Sequence, residues 1–132
     1  MSRRLLVALA SLAAGLGLVL WACSARAEDR AAPRFLGVYR CSAYCPCARC
    51  CGRWARHRRT ASGIPARGAL VAVDPRVLEL GSRVHVQGVG PRLCADTGRA
   101  IKGKRLDVLM PTHAQARRFG VKWLGVWEVE EE

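Results

Sequence analysis

Between residues 35 and 129 the apolar residues come in short runs, and each run is closed within a few positions by glycine, proline or a charged residue. Phe35–Tyr44 alternates loosely and carries Phe, Val and Tyr. Ala69–Pro75 is an apolar run that stops at a proline. Val84 and Val86 alternate with polar neighbours between turns at Gly81-Ser82 and Gly88–Gly90. Arg92–Asp96, Arg105–Met110 and Val121–Val129 complete the series. Runs of this length, rich in β-branched and aromatic residues, predict strands. One stretch, Thr112–Gly120, has the caps of a helix, with threonine at its start and glycine at its end. Six short strands and one short helix predict an all-β domain. A lone open sheet of this size would leave exposed edges, so a small closed barrel is expected.

The chain has 132 residues, which suits one domain. Its start reads as a leader rather than as part of the fold. Ser2-Arg3-Arg4 is followed by an uncharged Leu/Ala-rich run and then by Ala25-Arg26-Ala27. The pattern predicts a signal peptide over 1–27, a lead-in over 28–38 and the folded domain over 39–130. Cys23 after Leu20-Trp21-Ala22 raises a lipoprotein alternative, and an uncleaved anchor is a third. Each places the domain outside the cytoplasm, secreted, periplasmic or in the cell envelope. A membrane association is expected only if Cys23 is acylated or the leader stays uncut.

Charge narrows the partners. There are 22 Lys and Arg against 10 Asp and Glu, a formal +12. Removing the leader takes away Arg3, Arg4 and Arg26 and no acid, so the exported domain stays basic. Outside the membrane that balance fits cell wall, lipid headgroups or polysaccharide better than nucleic acid. The Arg-rich run 53–59 also has a plain reading as a solvated loop.

Cysteine use agrees with export. Of the seven cysteines, six follow the leader: Cys41, Cys45, Cys47, Cys50, Cys51 and Cys94. An even number in a small exported domain favours disulfides. Cys47-x-x-Cys50 with His57 nearby could instead hold zinc. The crowding of four thiols into one segment weighs against metal, so disulfides are expected, with no metal and no cofactor. His57, His85 and His113 are expected to be incidental. Residues 45–68 read as a long loop.

The residues "AYCPCARCCG", "TASG", "VAVDPRVLELGSRVHVQGVG", "ADTGRAIKGKRLDV" and "QARRFGVKWLGVWEV" together resemble the bacterial three-aspartate (3D) domain. The three aspartates fall at Asp74, Asp96 and Asp107. That family is similar to the barrel of membrane-bound lytic transglycosylase A, so the resemblance implies a six-stranded double-psi β-barrel. It also implies an exported enzyme that cleaves the β-1,4 bond between N-acetylmuramate and N-acetylglucosamine in peptidoglycan glycan strands, leaving 1,6-anhydro-muropeptides. By motif position Asp96 is expected to be the acid/base, with Asp107 and Asp74 as its electrostatic partners at one barrel mouth. Thr97, Gly98, Lys102, Tyr44 and Thr60 are expected to bind substrate, and the protein is expected to act as a monomer. The alternatives are a non-catalytic, expansin-like wall-binding barrel and a hydrolase of another β-1,4 glycan. The family usually has Gly-Gly after Asp-Thr, and Arg99 stands at the second position. A left-handed backbone there would be strained. Cys41 and Cys94 look additional to the family pattern, which suggests a Cys41–Cys94 crosslink.

Overall fold

The computed structural model describes residues 32–130. The expected leader, with Cys23 and the boundary after Ala27, lies outside the described residues. Among the described residues no helix is long and apolar enough to cross a membrane.

The elements are β1 (Arg34–Tyr44), α1 (Ala48–Cys51), a 3-10 turn (Gly52–Arg56), β2 (Leu70–Ala72), β3 (Arg83–Val86), β4 (Gly90–Asp96), β5 (Arg105–Leu109), α2 (His113–Phe119) and β6 (Lys122–Val129). All six expected strands and the expected helix are present. The first strand begins at Arg34, ahead of the expected domain start at residue 39, and pairs with β6 from there. Two short helical turns interrupt the segment read as a loop.

The strands close into a barrel in the order β1-β5-β2-β4-β3-β6. Two pairs are parallel, β1 with β5 and β2 with β4; the others are antiparallel. Parallel neighbours need long crossovers, and in both parallel pairs at least one other strand lies between the partners in the chain.

Alternation sorts the side chains onto two faces. Tyr39 and Cys41 of β1, Val71 of β2, Val84 and Val86 of β3, Cys94 of β4, Leu106 and Val108 of β5 and Val126 of β6 form one buried cluster. Every strand contributes, so this cluster is the barrel interior. A second cluster comprises Tyr44, Leu70, Ala72, Ala95 and Leu109, with Cys51 and Ile64 packed on it. It lies on the outer face of the β1-β5-β2-β4 wall, and segment 45–68 roofs it.

None of the six cysteines is bonded to another, which corrects the disulfide expectation. Cys41 and Cys94 are both fully buried in the interior, but β1 is neighbour to β5 and β6, and β4 to β2 and β3. The two thiols therefore sit on non-adjacent strands. The Cys41 thiol donates instead to the Tyr39 carbonyl at 3.5 Å.

Candidate active site

The register assembles the site. Ser42 of β1 lies opposite Asp107 of β5, Asp107 lies opposite Ala72 of β2, and Ala72 lies opposite Asp96 of β4. One row of residues thus crosses four strands, with the two aspartates flanking an alanine. Opposed residues share a face of the sheet, and this is the outer face. A bulge between Val71 and Ala72 shifts the β2–β4 register. Without it, Asp96 would follow Cys94 into the interior; bulges characteristically re-aim a side chain in this way. Ala72 leaves open the space that a larger side chain would fill between the carboxyls.

The two carboxyls have different surroundings. Asp96 Oδ2 accepts from the Tyr44 hydroxyl at 2.7 Å. Its Oδ1 accepts from the backbone N–H of Ala61 and of Thr97, each at 2.9 Å. Asp107 has one side-chain partner, the Ser42 hydroxyl, which donates to Oδ1 at 2.9 Å. Burial, offset in part by Ser42 and reinforced by the charge of Asp96, pushes the Asp107 carboxyl up to about 6. Desolvation disfavours the charged form and donors favour it. Three donors converge on Asp96, and Asp107 is the carboxyl that burial raises toward neutrality.

A cleft of about 920 Å³ opens over this row. Tyr44, Thr60, Thr97, Gly98 and Lys102, all expected to bind substrate, line it together with Asp96 and Asp107. Thr60 is buried and its hydroxyl is engaged with Ser62 and the Ile64 carbonyl, so it braces the roof as well as lining the cleft. Gly98 is required by a close approach: a Cβ there would come within 2.8 Å of Ile101 Cγ1. Arg99 also lines the cleft. Arg58 is the one non-glycine residue with left-handed φ among those described, so the strain anticipated at Arg99 is absent. With Arg53, Arg58, Arg59 and Lys102, Arg99 gives the cleft a cationic rim around an acidic floor.

Asp74 departs from expectation. It is not among the cleft-lining residues. It is buried, and its carboxylate accepts from Arg76 N–H at 3.1 Å, Arg76 Nη2 at 2.8 Å and Gly103 N–H at 2.8 Å. These partners, the Arg76 side chain foremost, hold it well below the usual carboxylate range. It latches the turn after β2 to the loop before β5, and so supports the Asp96–Asp107 segment from behind. Its stabilising contribution is present above about pH 4 and is lost as acid protonates it.

Ser42 was missed by sequence reasoning. Its one signal is that it shares a strand face with Tyr44 by alternation. Tyr44→Phe removes one of three donors to Asp96 while keeping the ring in place. We expect the variant to lose about 1–3 kcal/mol of stability, the range for a hydrogen bond to a charged group, as read by denaturant unfolding.

The site is thus a carboxylate cleft with a cationic rim, set on the outer wall of a closed six-stranded mixed barrel. Residues 69–130 match the model of the 3D domain. The curated relatives include two from Bacillus subtilis. The cell wall-binding protein YocH is 45% identical over 71 residues, covering 51% of this chain and 25% of YocH. The putative cell wall shaping protein YabE is 42% identical over 80 residues, covering 58% of this chain and 18% of YabE. The chain thus spans about a quarter or less of the length of these relatives. Among solved structures, MltA from E. coli aligns with a TM-score of 0.48 at 21% identity, over 56% of this chain and 28% of MltA.

Proposed function

We propose that the domain is an exported lytic transglycosylase that cleaves peptidoglycan glycan strands between N-acetylmuramate and N-acetylglucosamine. The observation that carries this reading is the pairing of a carboxyl raised to about 6, Asp107, with a three-times hydrogen-bonded carboxylate, Asp96, in one cleft. The cell-wall names of YocH and YabE support wall glycan as the target.

The chemistry needs one carboxyl that acts twice. Protonated Asp107 gives its proton to the glycosidic oxygen as the bond to the muramate anomeric carbon breaks. The resulting carboxylate then takes the proton of the muramate 6-hydroxyl as that oxygen attacks the anomeric carbon. A 1,6-anhydro ring closes and Asp107 ends protonated, ready for the next turn. Ionised Asp96 stabilises the positive charge that develops at the anomeric carbon. The raised Asp107 carboxyl favours it for the acid role that motif position assigns to Asp96. Lys102 and Arg99 are placed to meet carboxylates of the substrate.

The test is incubation of the domain with purified peptidoglycan, followed by mass spectrometry of the soluble products. Anhydro-muropeptides are expected. Reducing-end products would replace this reading with a glycan hydrolase. No product, with the protein still pelleting on cell wall, would favour a wall-binding barrel, a reading that the name of YocH supports. The rate should also fall by roughly tenfold per pH unit above the Asp107 value, because the free enzyme must carry that proton. A pH profile flat from 5 to 8 would remove Asp107 from the acid role.

A further inference from the structure

The thiols of the roof do not pair, and three of them meet a histidine from a distant helix. Cys45 Sγ lies 3.0 Å from Cys47 Sγ and 3.6 Å from Cys50 Sγ. His113 Nδ1 lies 4.0, 3.7 and 3.4 Å from the sulfurs of Cys45, Cys47 and Cys50. All four ligand atoms fall within 4.8 Å of one another. We propose that Cys45, Cys47, Cys50 and His113 bind one divalent metal ion, with zinc the ion that suits this donor set, and that the ion clamps the cleft roof to α2.

Geometry supports a tetrahedral site. Zinc–sulfur bonds of about 2.3 Å and zinc–nitrogen bonds of about 2.0–2.1 Å, at tetrahedral angles, set sulfurs about 3.8 Å apart and sulfur and nitrogen about 3.6 Å apart. The sulfur–nitrogen spacings bracket their value, and the two sulfur–sulfur spacings, 3.0 and 3.6 Å, are shorter than theirs, so the ion would spread the thiols slightly. A disulfide requires about 2.05 Å, and it would engage two of the thiols and leave His113 with no role. Binding converts three thiols to thiolates and releases three protons, so the occupied site carries one net negative charge, beside Arg49.

Local structure points the same way. Cys51, next in sequence, stays out of the cluster and donates to the Cys45 carbonyl at 3.3 Å. The Cys50 and Cys51 N–H groups turn back onto the Cys47 carbonyl at 3.1 and 2.9 Å, which folds the segment around Cys47. His113 opens α2, where Thr112 and Gln115 form a reciprocal cap that fixes the position of the first turn. Neither α1 nor the 3-10 turn buries any residue. Cys51 is the one residue of these turns that packs on the second cluster, although Cys50, Arg53 and Trp54 also form part of the cleft wall. A metal clamp adds a second anchor to this slender one. His57, the histidine nearest in sequence, accepts from Arg56 Nε and lies outside the four-residue cluster, so it is not a ligand.

The test uses the full chain purified under reducing conditions, its zinc measured by mass spectrometry and then exchanged for cobalt(II). We expect about one zinc per chain and, with cobalt, thiolate charge-transfer absorption and the intense red-region bands of a tetrahedral centre. Cys50→Ser and His113→Ala should each weaken zinc binding by more than the roughly 10–100-fold that loss of an outer-shell partner costs; His57→Ala should bind as wild type. If the ligand variants do not fold, the cobalt spectrum of the wild type decides. Zinc below about a tenth of an equivalent after reconstitution, an octahedral cobalt spectrum, or a disulfide among Cys45, Cys47 and Cys50 in metal-supplied exported protein would each overturn the proposal.

Discussion

Asp107→Asn should abolish glycan cleavage and, at the same time, make the domain more stable at neutral pH. Loss of a positioned acid/base costs about 10²–10⁴-fold in rate, which the product assay would read as disappearance of anhydro-muropeptides. The gain in stability follows from linkage. Asp107 is raised from 3.8 to about 6 by burial, so between those values the folded chain binds a proton that the unfolded chain has released. Stability therefore falls as pH rises through this window, and above it the ionised carboxylate costs the fold about 2–3 kcal/mol. Asparagine fills the same space, can still accept from Ser42, and carries no charge to desolvate. Chemical denaturation at pH 8 should show the variant roughly 1–2 kcal/mol more stable, with the advantage vanishing near pH 4. A variant that is inactive but no more stable at pH 8 would mean that Asp107 is solvated and is not the proton donor.

Leu106→Ala should be the most damaging single truncation in the barrel. Leu106 is fully buried, sits on β5 between β1 and β2, and neighbours Asp107 directly. A leucine-to-alanine change at such a site costs about 2–5 kcal/mol, and for a domain of this size 3 kcal/mol lowers Tm by roughly 12–24 °C. Calorimetry checks it. A fall of less than about 4 °C, the equivalent of under 1 kcal/mol, would show that the interior is loosely packed. Activity should fall more than folded fraction alone predicts, since the cavity frees the strand that carries Asp107.

The strands were legible because short alternating runs between turn residues leave few other folds, and the helix because Thr112 and Gly120 mark both its ends. Most of the cleft followed from one contiguous motif: Asp96, Thr97, Gly98 and Lys102 lie on a single turn and Asp107 on the next strand. What stayed hidden depends on partners remote in sequence. The different surroundings of Asp96 and Asp107 come in part from the Tyr44 hydroxyl and the Ala61 N–H, brought in from β1 and the roof. Asp74 reads as a site residue by its motif, yet Arg76 and Gly103 occupy its carboxylate. His113 meets Cys45 across 68 residues, and no spacing rule for metal ligands spans that gap.

Barrel closure also has a kinetic consequence. The first strand bonds to the last, with Arg34 opposite Glu128, and β3 takes its second neighbour from β6 as well. Until residue 129 is available, β1 and β3 both present open edges, so a chain emerging in order cannot finish the ring early. Pairings this distant in sequence make for slow folding, and the waiting edges are templates for mispairing.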